Sequence, residues 1–199
     1  MFIYNEQGQI KHYISIFDES ITQIDSHQFK KWFKHSKVVD KSGKPLVVFH
    51  GTNAHVQSFN PDKINSIEST GDYVGKGFFF TSNASRAEQY AKQAATKSAG
   101  SGINIIPVYL SIQNPLIIAS KKDIQKLYDY FGGEEDYYDL FLDSPALLQK
   151  KLIEKGYDGL IDKLYNQYAV FKPNQIKSAI GNNGDFNLNS SNINERTSG

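Results

Sequence analysis

Short segments rich in β-branched and aromatic residues, irregularly spaced and closed by glycine, asparagine or proline, are what most constrain the fold of this chain. Leu46 to His50, ended by Gly51, fits a short buried strand, as does Phe78-Phe79-Phe80-Thr81. Ile103 to Ile112, stopped by Asn114-Pro115, then Leu116 to Ala119, Leu160-Ile161-Asp162 and Tyr165 to Phe171 fit further strands. Helical patterns are fewer. Asp25 to Phe33 reads as an amphipathic helix with Phe29, Trp32 and Phe33 on one face, and Ser82 to about Gln93 as a second, capped by Ser82 or Asn83. Strand and helix do not alternate, as a doubly wound sheet requires, so the pattern predicts a mixed α+β domain. At 199 residues the chain is long enough to bury one such core unaided.

Boundaries follow from the same pass. Residues 1–24 carry few structural signals and read as an N-terminal extension, and residues 25–180 as the domain. Residues 181–199, rich in asparagine, serine and glycine, read as a disordered tail. Residues 53–76 form a polar loop too long for an idle connection, so it is expected to cover something. Residues 97–102 read as a flexible break, and residues 121–155 alternate helical patterns with a loop at Gly132-Gly133-Glu134-Glu135-Asp136.

Composition excludes several chemistries. A formal charge of +1 gives no overall field for a polyanion, so a nucleic-acid substrate would need a local patch. The absence of cysteine removes disulfides, thiolate metal sites and a cysteine nucleophile. His12, His27, His35, His50 and His55 show no ligand spacing, and Glu134-Glu135-Asp136 reads as a solvated loop, so no metal site is predicted. Nor is there a basic-then-apolar leader or a bilayer-length apolar run. The expectation is therefore a cytoplasmic protein without a membrane partner, acting in the producing cell or in a target cell after specialised delivery. Gly75-Lys76-Gly77 fails as a phosphate loop. Three residues separate Gly71 from Gly75 where four are needed, and Gly77 follows the lysine where Ser or Thr belongs. A Rossmann fingerprint is also absent.

Three segments remain: Val48-Phe49-His50-Gly51-Thr52, then Gly75-Lys76-Gly77-Phe78-Phe79-Phe80 with Tyr90 closing the next helix, then Leu164-Tyr165-Asn166-Gln167-Tyr168-Ala169-Val170-Phe171. Each alone reads as ordinary core. In this order they resemble the NAD-binding core of the ADP-ribosyltransferase superfamily, in its diphtheria-toxin and poly-ADP-ribose-polymerase (His-Tyr-Glu) clade. Gly43-Lys44-Pro45 upstream and Phe171-Lys172-Pro173-Asn174-Gln175-Ile176-Lys177 downstream make it similar to the transferase domains of phage and mobile-element polyvalent proteins.

The resemblance implies an α+β fold with a split mixed or antiparallel β-sheet core and flanking helices, and NAD as substrate without a metal. It gives His50 the role of binding a ribose hydroxyl, and Gly51 that of gripping the nicotinamide carboxamide through its backbone. Thr52, Gly77 and Phe78 complete the NAD-binding set, and Phe79 and Tyr90 become the aromatic walls around nicotinamide. Three positions depart from the family. Phe79 replaces a tyrosine, Ala87 falls where a serine bonds the carboxamide, and Gln167 stands at the catalytic glutamate. With period two, Tyr165, Gln167, Ala169 and Phe171 share a strand face, whereas Asp158 and Asp162 precede it and supply no substitute acid.

The implied activity is mono-ADP-ribosyl transfer by a toxin or effector, from NAD to a macromolecular acceptor that is protein or nucleic acid. An antitoxin or immunity protein would then be a partner. Breaking the nicotinamide–ribose bond builds positive charge on the sugar, as in glycoside hydrolysis. A glutamine supplies no opposing charge, so Gln167 is expected to weaken or inactivate this chain, whether natural or an engineered Glu→Gln change; the fit of every neighbouring position favours engineering. Tyr165, where arginine-directed transferases carry a second glutamate, argues against an arginine acceptor. The alternatives are an NAD glycohydrolase and a non-catalytic NAD- or ADP-ribose-binding domain.

Overall fold

Alternation of side chains along the strands divides the chain between two faces of one sheet. The computed structural model describes residues 23–61, 77–97, 102–131, 145–182 and 186–194. Its strands are β1 Val48–Thr52, β2 Phe78–Thr81, β3 Asn104–Leu110, β4 Pro115–Ile118, β5 Gly159–Asp162, β6 Gln167–Val170 and β7 Ile176–Ser178. They lie in the order β4-β5-β6-β2-β1-β3-β7. Only β4 and β5 run parallel. The helices are α1 His27–Phe33, α2 Ala84–Lys97, α3 Lys121–Phe131 and α4 Pro145–Glu154. The last two fall between β4 and β5, where a parallel pair needs a crossover.

On one face Val48, Phe78, Phe80, Val108, Leu110, Ile161, Val170 and Ile176 pack with Phe59 into the main core. The other face is shared. Phe29, Trp32 and Phe33 of α1, with Ser26 accepting the Phe29 N–H as its cap, pack on Tyr109. Ile118, Leu160 and Ala169 pack under Ile124 and Leu127 of α3. Between them α2 lies on β1.

The sheet is split where β1 meets β2. The two strands share one register pair, Phe49 opposite Thr81, whereas β1 pairs with β3 along Val48 to Thr52, and β2 with β6 along Phe78 to Thr81. This is the split mixed sheet that the family resemblance implies.

Two expectations need correction. The segment Ile176–Ser178, unforeseen as a strand, forms the edge of the sheet. Residues 186–194, expected to be disordered, cover that edge. Phe186 packs against α1 on one face, and Ile193 enters the main core on the other, so the segment wraps around β7. Ser178 donates to the Ile193 carbonyl at 2.9 Å, and Ile193 donates to the Gln57 carbonyl at 3.0 Å. Fully buried Lys177 donates from Nζ to the carbonyls of Ser190 and Asn192, at 3.1 and 3.0 Å. An edge strand presents a row of backbone groups, and covering it with a loop, here anchored by Phe186 and Ile193, blunts that edge. The expected cover loop beyond residue 61, Gly75-Lys76, the break at 98–101, the Gly132-to-Asp136 loop and residues 1–22 lie outside the described residues. No described helix is long and apolar enough to cross a membrane.

Because Phe186 is buried, Phe186→Ala should lower unfolding free energy by about 3 kcal/mol or more in denaturant titration. An unchanged midpoint would return residues 186–194 to solvent.

Candidate active site

The β5–β6 turn decides where residue 167 points. Oδ1 of buried Asp162 accepts the N–H groups of Leu164 and Tyr165, at 2.8 and 3.1 Å. Asn166 takes a left-handed φ of 54°, a conformation its short polar side chain tolerates, and Ser82 donates to its carbonyl at 3.2 Å. β6 therefore starts at Gln167. Tyr165 sits in the turn, not on the Gln167 strand face as its spacing suggests. Asp162 is spent on shaping this turn, and Asp158 on the N–H groups of Gln113 and Asn114.

Register places the site residues. Gln167 lies opposite Thr81 and Ala169 opposite Phe79, so Gln167, Ala169, Phe79 and Thr81 share one face. Gly51 points to this face too. A β-carbon there would overlap the carbonyl of Ala87, so α2 rests directly on β1. Ala87 and Ala91, one turn apart, are fully buried. Helix α2 then carries Tyr90 to β6, where Nε2 of buried Gln167 donates to the Tyr90 hydroxyl at 3.2 Å. The second and third sequence motifs meet at this hydrogen bond.

His50 leaves the strand on the opposite face, its ring 5.0 Å from that of Phe59 and 5.6 Å from that of Phe80. Its Nδ1 lies 2.9 Å from the carbonyl oxygen of Phe79, across the split. A carbonyl only accepts, so the neutral ring carries its hydrogen on Nδ1 and keeps a lone pair on Nε2. Burial pushes His50 below its ordinary pKa of 6.5, opposed in part by the bond to Phe79. The imidazole is thus a neutral acceptor, the form that takes a hydrogen bond from a sugar hydroxyl. From His50 onward β1 has register partners on β3 alone, so its β2-facing edge borders the split.

The other predicted residues divide. Thr52 is half-buried at the end of β1, its hydroxyl accepting from the Ala54 N–H at 3.2 Å. Gly77 is buried, and a β-carbon on it would come within 3.3 Å of the Val170 carbonyl. Phe79 is half-buried beside Ala169, Leu160 and Ile118. Phe78 is corrected: alternation turns its ring into the main core, 5.3 Å from Phe59, so it offers a ligand no side chain.

Arg86 escaped the sequence reading. Its Nε donates to the Tyr90 hydroxyl at 3.0 Å and one terminal nitrogen to the Tyr165 carbonyl at 3.2 Å. The one available signal was its spacing of four residues before Tyr90, which places the two on one helix face. A cavity of about 640 Å³ opens between residues 54–57, β3, β7 and residues 192–194. None of the candidate site residues lines it, so the site rests on register and hydrogen bonding instead. Among the described residues no group of acidic and histidine side chains could hold a metal ion.

Residues 40–186 match the family described as ADP-ribosyltransferase in polyvalent proteins. No curated protein matches the chain significantly.

Gly51→Ala should force α2 off β1, lowering stability by about 3 kcal/mol in denaturant titration. The His50 shift fixes a second outcome. As pH falls, the unfolded chain takes up a proton at His50 before the folded one does. The neutral-ring contribution is therefore complete above about pH 6.5 and is lost as pH falls below it, by at most about 1.4 kcal/mol per pH unit. Unfolding titrations at pH 7.5 and 5.5 should show a steeper loss for this chain than for His50→Gln.

Proposed function

The chain belongs to the family of ADP-ribosyltransferases in polyvalent proteins, and on that premise we propose that it is built to transfer a single ADP-ribose from NAD to a macromolecular acceptor. We propose further that Gln167 leaves this sequence weak or inactive. One observation carries the reading: Gln167 and Tyr90 are in hydrogen-bond contact on the face where Gly51 and Phe79 also lie. Nicotinamide would stack on Phe79 and Tyr90, its carboxamide on the edge of β1 at Gly51, and a ribose hydroxyl would donate to His50. Stacking is worth about 0.5–1.5 kcal/mol beyond buried area, so ring walls alone hold part of the affinity.

In the reaction the bond between the ribose carbon and the nicotinamide nitrogen breaks. Its electron pair stays with nicotinamide, the sugar becomes oxocarbenium-like, and a lone pair of the acceptor closes on that carbon as the acceptor's proton leaves. A carboxylate at 167 would stabilise the sugar's charge in the transition state more than in the ground state. The amide of Gln167 keeps the position and lacks the charge. The same reading makes the protein a toxin or host-directed effector of phage or mobile-element origin, with an antitoxin or immunity protein as partner.

A second reading has support of its own. Phe79, Ala87 and Gln167 each lack the polar or charged group of the family pattern, which favours an NAD- or ADP-ribose-binding domain without turnover.

Gln167→Glu separates the two. The variant should release nicotinamide about 10²–10³ times faster, with NAD affinity little changed. Labelled NAD in a bacterial lysate, followed by separate nuclease and protease digestion, then shows the acceptor class, while nicotinamide release without labelled macromolecule indicates hydrolysis. If the variant binds NAD and still releases nothing, the binding-domain reading replaces transfer.

A further inference from the structure

We infer that Arg86 is a positioning residue that holds the Tyr90 wall and the turn before residue 167 as one unit, an inference that rests on the transferase reading of this site. Three contacts carry it. Arg86 Nε donates to the Tyr90 hydroxyl at 3.0 Å, its terminal nitrogen donates to the Tyr165 carbonyl at 3.2 Å, and its guanidinium lies 5.9 Å from the Tyr90 ring centre. The guanidinium is a rigid fork of donors, so one side chain fixes two groups at a set separation. One of those groups belongs to α2, the other to the β5–β6 turn. Tyr165 is two residues from Gln167, and Gln167 itself donates to the same Tyr90 oxygen. The two donors close a ring that runs from α2 through Arg86 to the turn, along the chain to 167 and back to Tyr90.

The chemistry of the hydroxyl gives this ring a function. A phenol oxygen has two lone pairs and one hydrogen. Here Arg86 and Gln167 take the lone pairs, which leaves the hydrogen for a third group. With a carboxylate at 167, Arg86 still holds one lone pair, and the hydrogen turns to the carboxylate. In both cases Arg86 sets the direction of the hydroxyl, and the hydroxyl sets the rotamer of residue 167. Arg86 touches residue 167 only through Tyr90 and the turn, so its effect should fall on turnover more than on NAD binding.

The test is a double-mutant cycle in the Gln167→Glu protein, with Arg86→Met, Tyr90→Phe and both together. Arg86→Met should lower kcat for nicotinamide release by about ten- to a hundredfold, while KM for NAD moves by less than about threefold. The unfolding midpoint should stay in place. In Tyr90→Phe, which keeps the ring and drops the hydroxyl, Arg86→Met should add little. Effects that multiply, or a change confined to KM, would overturn the inference. The chain as it stands supplies a readout independent of turnover, the side-chain amide resonance of Gln167. Arg86→Met should shift that resonance and speed its hydrogen exchange, as Tyr90→Phe does. An amide that responds to Tyr90→Phe and ignores Arg86→Met would sink the positioning role. If Gln167→Glu proves inert while the amide responds, the transferase reading fails and the positioning role stands.

Discussion

At Gly51 the place of a side chain is taken by the Ala87 carbonyl of the neighbouring helix, and α2 lies against β1 with no layer of side chains between them. The small buried residues Ala87 and Ala91 continue that contact along the helix. A helix held so close has little freedom to roll, so the residues beside this seam are aimed with it. Arg86 thereby reaches the β5–β6 turn, and Tyr90 reaches β6. A larger side chain at 51 would move Tyr90 and the clamp on residue 167 together, and for that reason we regard this seam as the contact on which the site depends.

The sheet is split beside the seam because β1 and β2 part after one register pair. Splitting a sheet forfeits ladder hydrogen bonds, and buried backbone groups left without partners are costly. His50 restores one of them by bonding the Phe79 carbonyl across the gap. The same bond fixes the tautomer, and burial keeps the ring neutral. One imidazole thus repairs the gap and keeps a neutral acceptor nitrogen at Nε2. The face across the sheet has no such economy. Asp162, the acid nearest to residue 167 in register, is committed to its turn, and Gln167 contributes no charge.

Away from the split, the polar segment after β7 solves a different problem. Lys177 is fully buried, and its Nζ donates to carbonyls of that segment. Ile193 then joins the edge strand to Gln57, a few residues beyond the His50-Gly51-Thr52 strand. The C-terminal segment and the chain leaving the candidate site are therefore tied through one isoleucine backbone.

How much of this the sequence contained can be judged residue by residue. Strand β2 was legible to the residue, because a run of three phenylalanines bounded by Gly77 and Ser82 has one strand reading. The face of α1 was legible from Phe29, Trp32 and Phe33, since period 3.6 is a local property. The order of the three motifs pointed to the family, whereas Tyr90, read as closing its helix, stands in the middle of one that runs from Ala84 to Lys97. Arg86 and the Phe186-to-Ile193 segment were missed because each depends on a partner distant in sequence, the Tyr165 carbonyl and the edge of β7. Tyr165 and Phe78 were misread for local reasons: the Asp162 carboxylate bends the chain just before β6, and strand alternation turns Phe78 away from Phe79. The sequence by itself determined which residues could be chemical and which segments could be strands, because both follow from side-chain type and local period. Only the tertiary structure decided which face each residue serves and which groups touch, because register and helix-to-strand distance are set by contacts between segments that carry no trace of one another in the chain.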